Sequence, residues 1–175
     1  MLPEFAQSLY ERFEREGIPL LLAGGWAVCH HGYARITFDF DWVCPLSRVS
    51  AAPSLMEELG FLRTTDGMAS RYAKKGDLAF PFIDLIPVDD ATFSRMAEAE
   101  PAAFKPQGVP VINFRALLAM KLFALKDDET RHGKDLLDIR MLLRYGHCQI
   151  PEEEIKALCA KFAGPVAYAK IRPEP

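Results

Sequence analysis

Paired cysteines are the first thing this sequence lacks. Its four cysteines, Cys29, Cys44, Cys148 and Cys159, stand apart and form no C-x-x-C pair. That excludes a disulfide framework, argues against zinc, and suits a reducing compartment. No apolar run reaches the roughly 20 residues that a membrane-spanning helix needs. Positive charge is not in excess: 21 Lys and Arg against 24 Asp and Glu leave −3, so no global basic field argues for loose binding along nucleic acid. The first helical pattern carries Glu4, Glu11 and Glu14 and has neither the basic start nor the apolar core of a signal peptide. The expectation is a cytoplasmic protein without membrane contact. Internal repeats and low-complexity blocks are absent too.

What is present is an ordinary globular composition. Half of the 175 residues are hydrophobic, enough for one core or for one core with a small helical addition. Phe5, Leu9 and Phe13 form one stripe of a helix over residues 3–16, with Gly17 as its stop. Leu20 to Ala23 is short and continuously apolar, as in a strand buried on both faces. Gly24-Gly25 ends it, and Trp26 to His31 reads as a short helix. Residues 33–37 form a polar loop into a second strand that stops at Pro45. A helix over 48–59 is weakened early by Pro53 and capped by Gly60. From Phe61 to Val88 the chemistry is that of strands, read as a hairpin of Met68 to Lys74 and Asp77 to Ile86. A short helix near 90–98 and a possible strand over 109–112 precede Asn113, a candidate N-cap.

The composition then turns helical. Phe114 to Leu125, apolar nearly all round, should be buried, and helices over 131–144 and 152–162 follow. The expected division is a core over 1–112, a C-terminal helical part over 113–163, and a flexible tail over 164–175.

Two aspartates one residue apart, Asp39 and Asp41, interrupt the run Phe38-Asp39-Phe40-Asp41-Trp42-Val43. On a strand they share a face while Phe40 and Trp42 take the other. Like charges so placed repel and raise each other's pKa, so the arrangement calls for a cation, and a hard divalent metal is the natural one. Asp84 is a third lone carboxylate, in Phe82-Ile83-Asp84-Leu85-Ile86. Gly24-Gly25, between a strand and a helix, could bring a phosphate close to backbone amides. Alone it is more often a plain turn. One phosphate cradle with three carboxylates is the minimum kit for metal-assisted phosphoryl transfer. The plainer account is an exposed edge strand with a polar face, against which the surrounding aromatics count.

The segments Leu22-Ala-Gly-Gly-Trp-Ala-Val28, Gly32 to Thr37 leading into Asp39-Phe-Asp41, Asp84 in its apolar run, and the helical Lys121-Leu122 and Lys134-Asp135 together resemble the nucleotidyltransferase superfamily of the DNA polymerase β type. The likeness spans about residues 18–144 and is greatest to small bacterial members, the antibiotic adenylyltransferases and abortive-infection toxins. It implies an α/β (α+β) fold with a small mixed twisted sheet, flanking helices and a helical C-terminal part. It implies transfer of a nucleoside monophosphate from an NTP, with ATP the expected donor, to an acceptor hydroxyl of a small molecule, a protein or tRNA. Asp39 and Asp41 would then hold Mg2+ or Mn2+, with Asp84 as a third ligand or the general base. Gly24 and Gly25 would contact the triphosphate. Trp26 stands where many members carry serine, which removes a hydroxyl contact to phosphate.

Other candidates divide between plain and functional readings. Arg35 and Thr37 could reach a phosphate or lie on a loop surface. Lys121 could snorkel from a buried stripe or neutralise phosphate. Lys134 could bind nucleotide, although Arg131–Asp135 and Lys134–Asp138 would also be explained as solvated i,i+4 pairs. Of His30 and His31, one should pack and one be exposed, and Trp26 should be core. Two other classes remain: a noncatalytic member of the fold, such as a toxin–antitoxin component with an antitoxin-type partner, and a metal-dependent nuclease.

Overall fold

The computed structural model describes residues 2–65, 67, 69–98, 108–127, 132–164 and 166–172. Among these residues five strands make one mixed sheet: β1 (Leu21–Leu22), β2 (Phe40–Pro45), β3 (Phe61–Thr65), β4 (Ser70–Lys74) and β5 (Ile83–Val88), in the order β1-β2-β5-β4-β3. Only β2 and β5 run parallel; the other neighbours are antiparallel. The hairpin foreseen between 68–74 and 77–86 is split differently. β4 turns back on β3 as well as pairing with β5, and β5 begins only at Ile83. Val111 pairs with Leu22 as an isolated parallel bridge, and the Leu22 amide donates to the Pro110 carbonyl at 2.9 Å. The expected strand at 109–112 is reduced to that.

The period of two along the central strands decides which residues face which layer. Leu20, Leu22, Phe40, Trp42, Cys44, Ile83 and Leu85 pack into one cluster with Ala6, Leu9 and Phe13 of α1 (Glu4–Arg15) and Leu55 and Met56 of α3 (Ala52–Glu58). The intervening Leu21 and Val43 face the other layer. There they meet α2 (Gly24–His30), α5 (Phe114–Asp127), α6 (His132–Tyr145), α7 (Glu152–Phe162) and α8 (Ala167–Ile171). The alternation places Asp41 and Asp84 on this second face.

Two helix starts follow their sequence signals. Asp89 caps α4 (Asp90–Ala97) by accepting from the Thr92 amide at 2.9 Å, and Asn113 Oδ1 accepts from the Ala116 amide at 2.8 Å at the start of α5. Helix α5 is not buried all round: Phe114, Leu117, Leu118, Lys121 and Leu122 form the inner stripe, while Phe123 is 41% exposed. A flexible tail from 164 is corrected as well. Residues 167–171 form α8, and Ala167 and Ile171 are buried in the second cluster. Their spacing of four puts both on one helical face. Residues 173–175 lie outside the described residues. Among those described, no helix is long and apolar enough to cross a membrane.

Candidate active site

A cleft of about 320 Å³ opens between the second face of the sheet and helices α5 and α6. Gly24, Gly25, Arg35, Thr37, Asp39, Asp41, Asp84, Lys121 and Lys134, the nine positions singled out from sequence, all line it, together with Arg71 and Asp135.

The sheet wall follows from strand register. Asp41 of β2 lies level with Asp84 of the parallel β5, and Asp84 lies level with Arg71 of the antiparallel β4. Three charged side chains thus stand in a row across three strands. Asp39 precedes β2, which begins at Phe40. The alternation nevertheless starts earlier: Arg35, Thr37 and Asp39 are partly buried, while Ile36 and Phe38 are 79% and 76% exposed. Phe38 therefore does not bury the aspartate pair as its apolar context suggested; it sits at the rim of the cleft.

The double glycine has a steric reason. Gly24 has φ +57°, and a Cβ there would overlap the Asp41 carboxylate; a Cβ on Gly25 would overlap the Thr37 hydroxyl. Only glycines let Asp41 and Thr37 lie against the first turn of α2, and the left-handed backbone at 24 favours glycine independently. Trp26 points away, stacking on Phe40 with ring centroids 5.0 Å apart, as the core reading had it.

Arg71 is the site residue that sequence reasoning missed. Its Nε and Nη2 donate to Asp84 Oδ1 and Oδ2 at 2.8 and 2.6 Å, and Nη2 lies 3.7 Å from Asp39 Oδ2. The paired bond to Asp84 is the main reason that the guanidinium is held charged well beyond its ordinary range, with further support from Asp84, Asp39 and Asp41 as charges.

The helical wall is built differently. Lys121 of α5 donates to Asp135 Oδ1 at 2.7 Å and pairs with Asp138 Oδ2 at 2.8 Å, both acids being on α6. Arg35 donates through Nε and Nη2 to Asp138 at 2.6 and 2.8 Å. Asp135 and Asp138 are 2% and 1% exposed. The solvated pairs expected within α6 are therefore corrected: both acids face across the interface, because cations there meet them out of water. Arg131 lies outside the described residues. Burial by itself would raise the Asp138 carboxyl, but the Arg35 bonds and Lys121 bring it below the ordinary carboxylate range. Lys134 is exposed at the cleft. His31 is the packed histidine, its Nε2 lying 2.8 Å from the Ile112 carbonyl, and His30 is partly buried.

The donor set suits a hard divalent ion, because every acid on the sheet wall offers carboxylate oxygens and Arg71 already holds a positive charge between two of them. Among the described residues no three or more acidic, histidine or cysteine side chains are grouped so as to hold a metal ion by themselves. A magnesium ion would not require such a group, since it commonly takes one or two carboxylates and completes its shell with waters and substrate phosphates.

A sequence model described as the nucleotidyl transferase AbiEii toxin of type IV toxin–antitoxin systems matches residues 77–174, more than half of the chain. The chain belongs to this AbiEii nucleotidyltransferase family. The matched segment holds Asp84, Lys121, Lys134, Asp135 and Asp138, and Gly24, Gly25, Asp39 and Asp41 precede it. No curated protein matches the chain. Among solved structures, ANT(2″)-Ia in complex with adenylyl-2″-tobramycin is similar with a TM-score of 0.64 and 17% identity, over 90% of this chain and 94% of that one. An antigenic nucleotidyltransferase-like protein from Paracoccidioides brasiliensis has a TM-score of 0.57 and 15% identity, over 95% and 90%. The lincosamide antibiotic adenylyltransferase LnuA, lincomycin-bound, has a TM-score of 0.56 and 17% identity, over 81% and 96%. At such identities the likeness is one of fold, and the α/β nucleotidyltransferase fold expected from the sequence is the one observed.

Proposed function

We propose that this AbiEii-family chain is a metal-dependent nucleotidyltransferase, moving a nucleoside monophosphate from an NTP, with ATP the expected donor, to an acceptor hydroxyl with release of pyrophosphate. The observation that carries this reading is the level placement of Asp41 and Asp84 on adjacent parallel strands, with Asp39 lining the same cleft beside Gly24 and Gly25. Asp39 and Asp41 would hold Mg2+ or Mn2+, helped by Asp84. When bound, the ion would offset the charge of the triphosphate. The remaining work falls to the chain's own groups. Gly24 and Gly25 present backbone without side chains at the foot of the cleft, and exposed Lys134 offers a mobile cation to phosphate. Arg35 and Lys121, paired to α6, brace the walls. Asp84, whose two oxygens accept from Arg71, would serve as a ligand or as the base that takes the acceptor proton once that fork is shared or displaced.

For the acceptor, two likenesses suggest different classes. The ANT(2″)-Ia structure is a complex with adenylyl-2″-tobramycin and the LnuA structure is lincomycin-bound, which supports a small hydroxylated acceptor. The family, a toxin of type IV toxin–antitoxin systems, supports an antitoxin-type partner, and a protein or tRNA is the other acceptor class to be tried. The test is to incubate the protein with Mg2+ and labelled NTPs against panels of aminoglycoside-type molecules, proteins and tRNA. Label should enter one class with stoichiometric pyrophosphate, and Asp39→Asn should abolish it. Cleavage of nucleic acid without pyrophosphate would indicate a nuclease instead, and no metal-dependent NTP binding would leave only a noncatalytic member of the fold.

A further inference from the structure

We propose that Arg71 is the built-in counter-cation of the acidic row and competes with a divalent cation for Asp84. The inference rests on the metal-dependent reading above and adds a residue to it.

The register makes the contact a fixed part of the sheet. Arg71 and Asp84 are directly opposed on antiparallel strands, so their side chains leave the sheet on the same face and at the same level. The guanidinium meets the carboxylate as a fork, one nitrogen to each oxygen, the strongest geometry available to this pair. It also lies over the Phe82 ring, with its carbon 5.0 Å from the centroid, which holds the planar head beside the strand. Reaching to 3.7 Å from Asp39, one cation serves two of the three acids. An arginine does not lose its proton at any ordinary pH, so its charge leaves the carboxylates only if the side chain swings away.

These facts have a chemical consequence. An ion that draws on Asp84 meets oxygens already engaged by Arg71 and has to share or displace the fork. Arg71 is 39% exposed, so it has room to move. Arg71 lines the same cleft as Gly24, Gly25 and Lys134. Its five donors suit phosphate oxygens as well as carboxylate. Arg71 therefore sets how readily the cleft takes a cation by itself, and favours one that brings its own anion as a metal–triphosphate complex.

The test is Mn2+ binding, by electron paramagnetic resonance and titration calorimetry, to the wild type, Arg71→Met and Arg71→Met/Asp84→Asn. Methionine keeps an apolar stem over Phe82 and removes the charge. Arg71→Met should bind Mn2+ more tightly, by roughly 5–150-fold, the usual range for coupling between sites, and show a larger Mn2+-induced rise in melting temperature. The double variant should lose that gain. Equal or weaker binding by Arg71→Met overturns the competition while leaving the metal site standing, and so does a gain that survives in the double variant. No Mn2+ binding by any of the proteins, with or without a non-hydrolysable NTP, overturns the metal reading and the competition together.

Discussion

The two walls of the cleft use the same residue types to opposite ends. On the sheet wall three acids, Asp39, Asp41 and Asp84, face one arginine, and Asp39 and Arg71 are each about two-fifths exposed. On the helical wall two acids meet two cations, Asp135 and Asp138 against Lys121 and Arg35, and all are largely withdrawn from water. The first set is unbalanced and open, so its charges can be exchanged for those of a ligand. The second is balanced and closed. On this protein the aspartates proposed to work are those that outnumber the cation beside them, and the structural ones are those matched by cations one for one.

The sharpest way to break that comparison is to neutralise one acid from each wall. Asp41→Asn should lower nucleotidyl transfer by about 10³-fold or more, the scale of a lost metal ligand, with a nearly unchanged melting temperature. Asp138→Ala should do the reverse, destabilising the fold by about 3–5 kcal/mol, because it leaves Arg35 and Lys121 short of a buried partner. If Asp138→Ala melts like wild type, the helical wall is not the closed network described. Gly24→Ala comes next: the left-handed backbone alone costs roughly 1–2 kcal/mol, and the new methyl must push the Asp41 carboxylate aside. Activity should fall more than stability does, as measured by kinetics and denaturant unfolding on the same preparation.

The smallest effect expected is with pH. Burial, reinforced by the neighbouring His31 and His147, lowers His30 from 6.5 to about 4. A depressed folded pKa means that its neutral form is favoured in the fold. The associated stability is fully present above about pH 6.5 and is lost as pH falls through about 4. Melting temperature should decline across that window, and His30→Gln should flatten the decline. Asp138, also held low, adds its own loss in still more acidic solution.

How much of this was legible beforehand depended on whether a residue broke its local pattern. Asp39, Asp41 and Asp84 did so, as lone charges in apolar runs, and each lines the cleft. Arg71 did not. In Ser70-Arg71-Tyr72-Ala73-Lys74 it reads as the solvent face of an alternating strand, and only the β4–β5 register, set across residues 75–82, brings it opposite Asp84. Asp135 and Asp138 were misread because acceptable partners stood four residues away in the sequence. Short-range pairing explains a charge so easily that it hides a long-range one. The last helix was missed for a comparable reason: Gly164 and Pro165 suggested an unravelled end, while Ala167 and Ile171 carried the weaker signal of one apolar face. The fold class, by contrast, was readable through the resemblance to the nucleotidyltransferase superfamily, whose motif residues are spread over both the strands and the helical second half.

Arg35 gives the cleft a mechanical property. It belongs to the extended stretch that runs directly into Asp39, yet its guanidinium is fastened by two hydrogen bonds to Asp138, 103 positions further along the chain. The two walls are thus tied rather than merely adjacent. Strand register keeps Asp41 and Asp84 level, whereas the stretch that leads into Asp39 is anchored through Arg35 to the opposite half of the molecule.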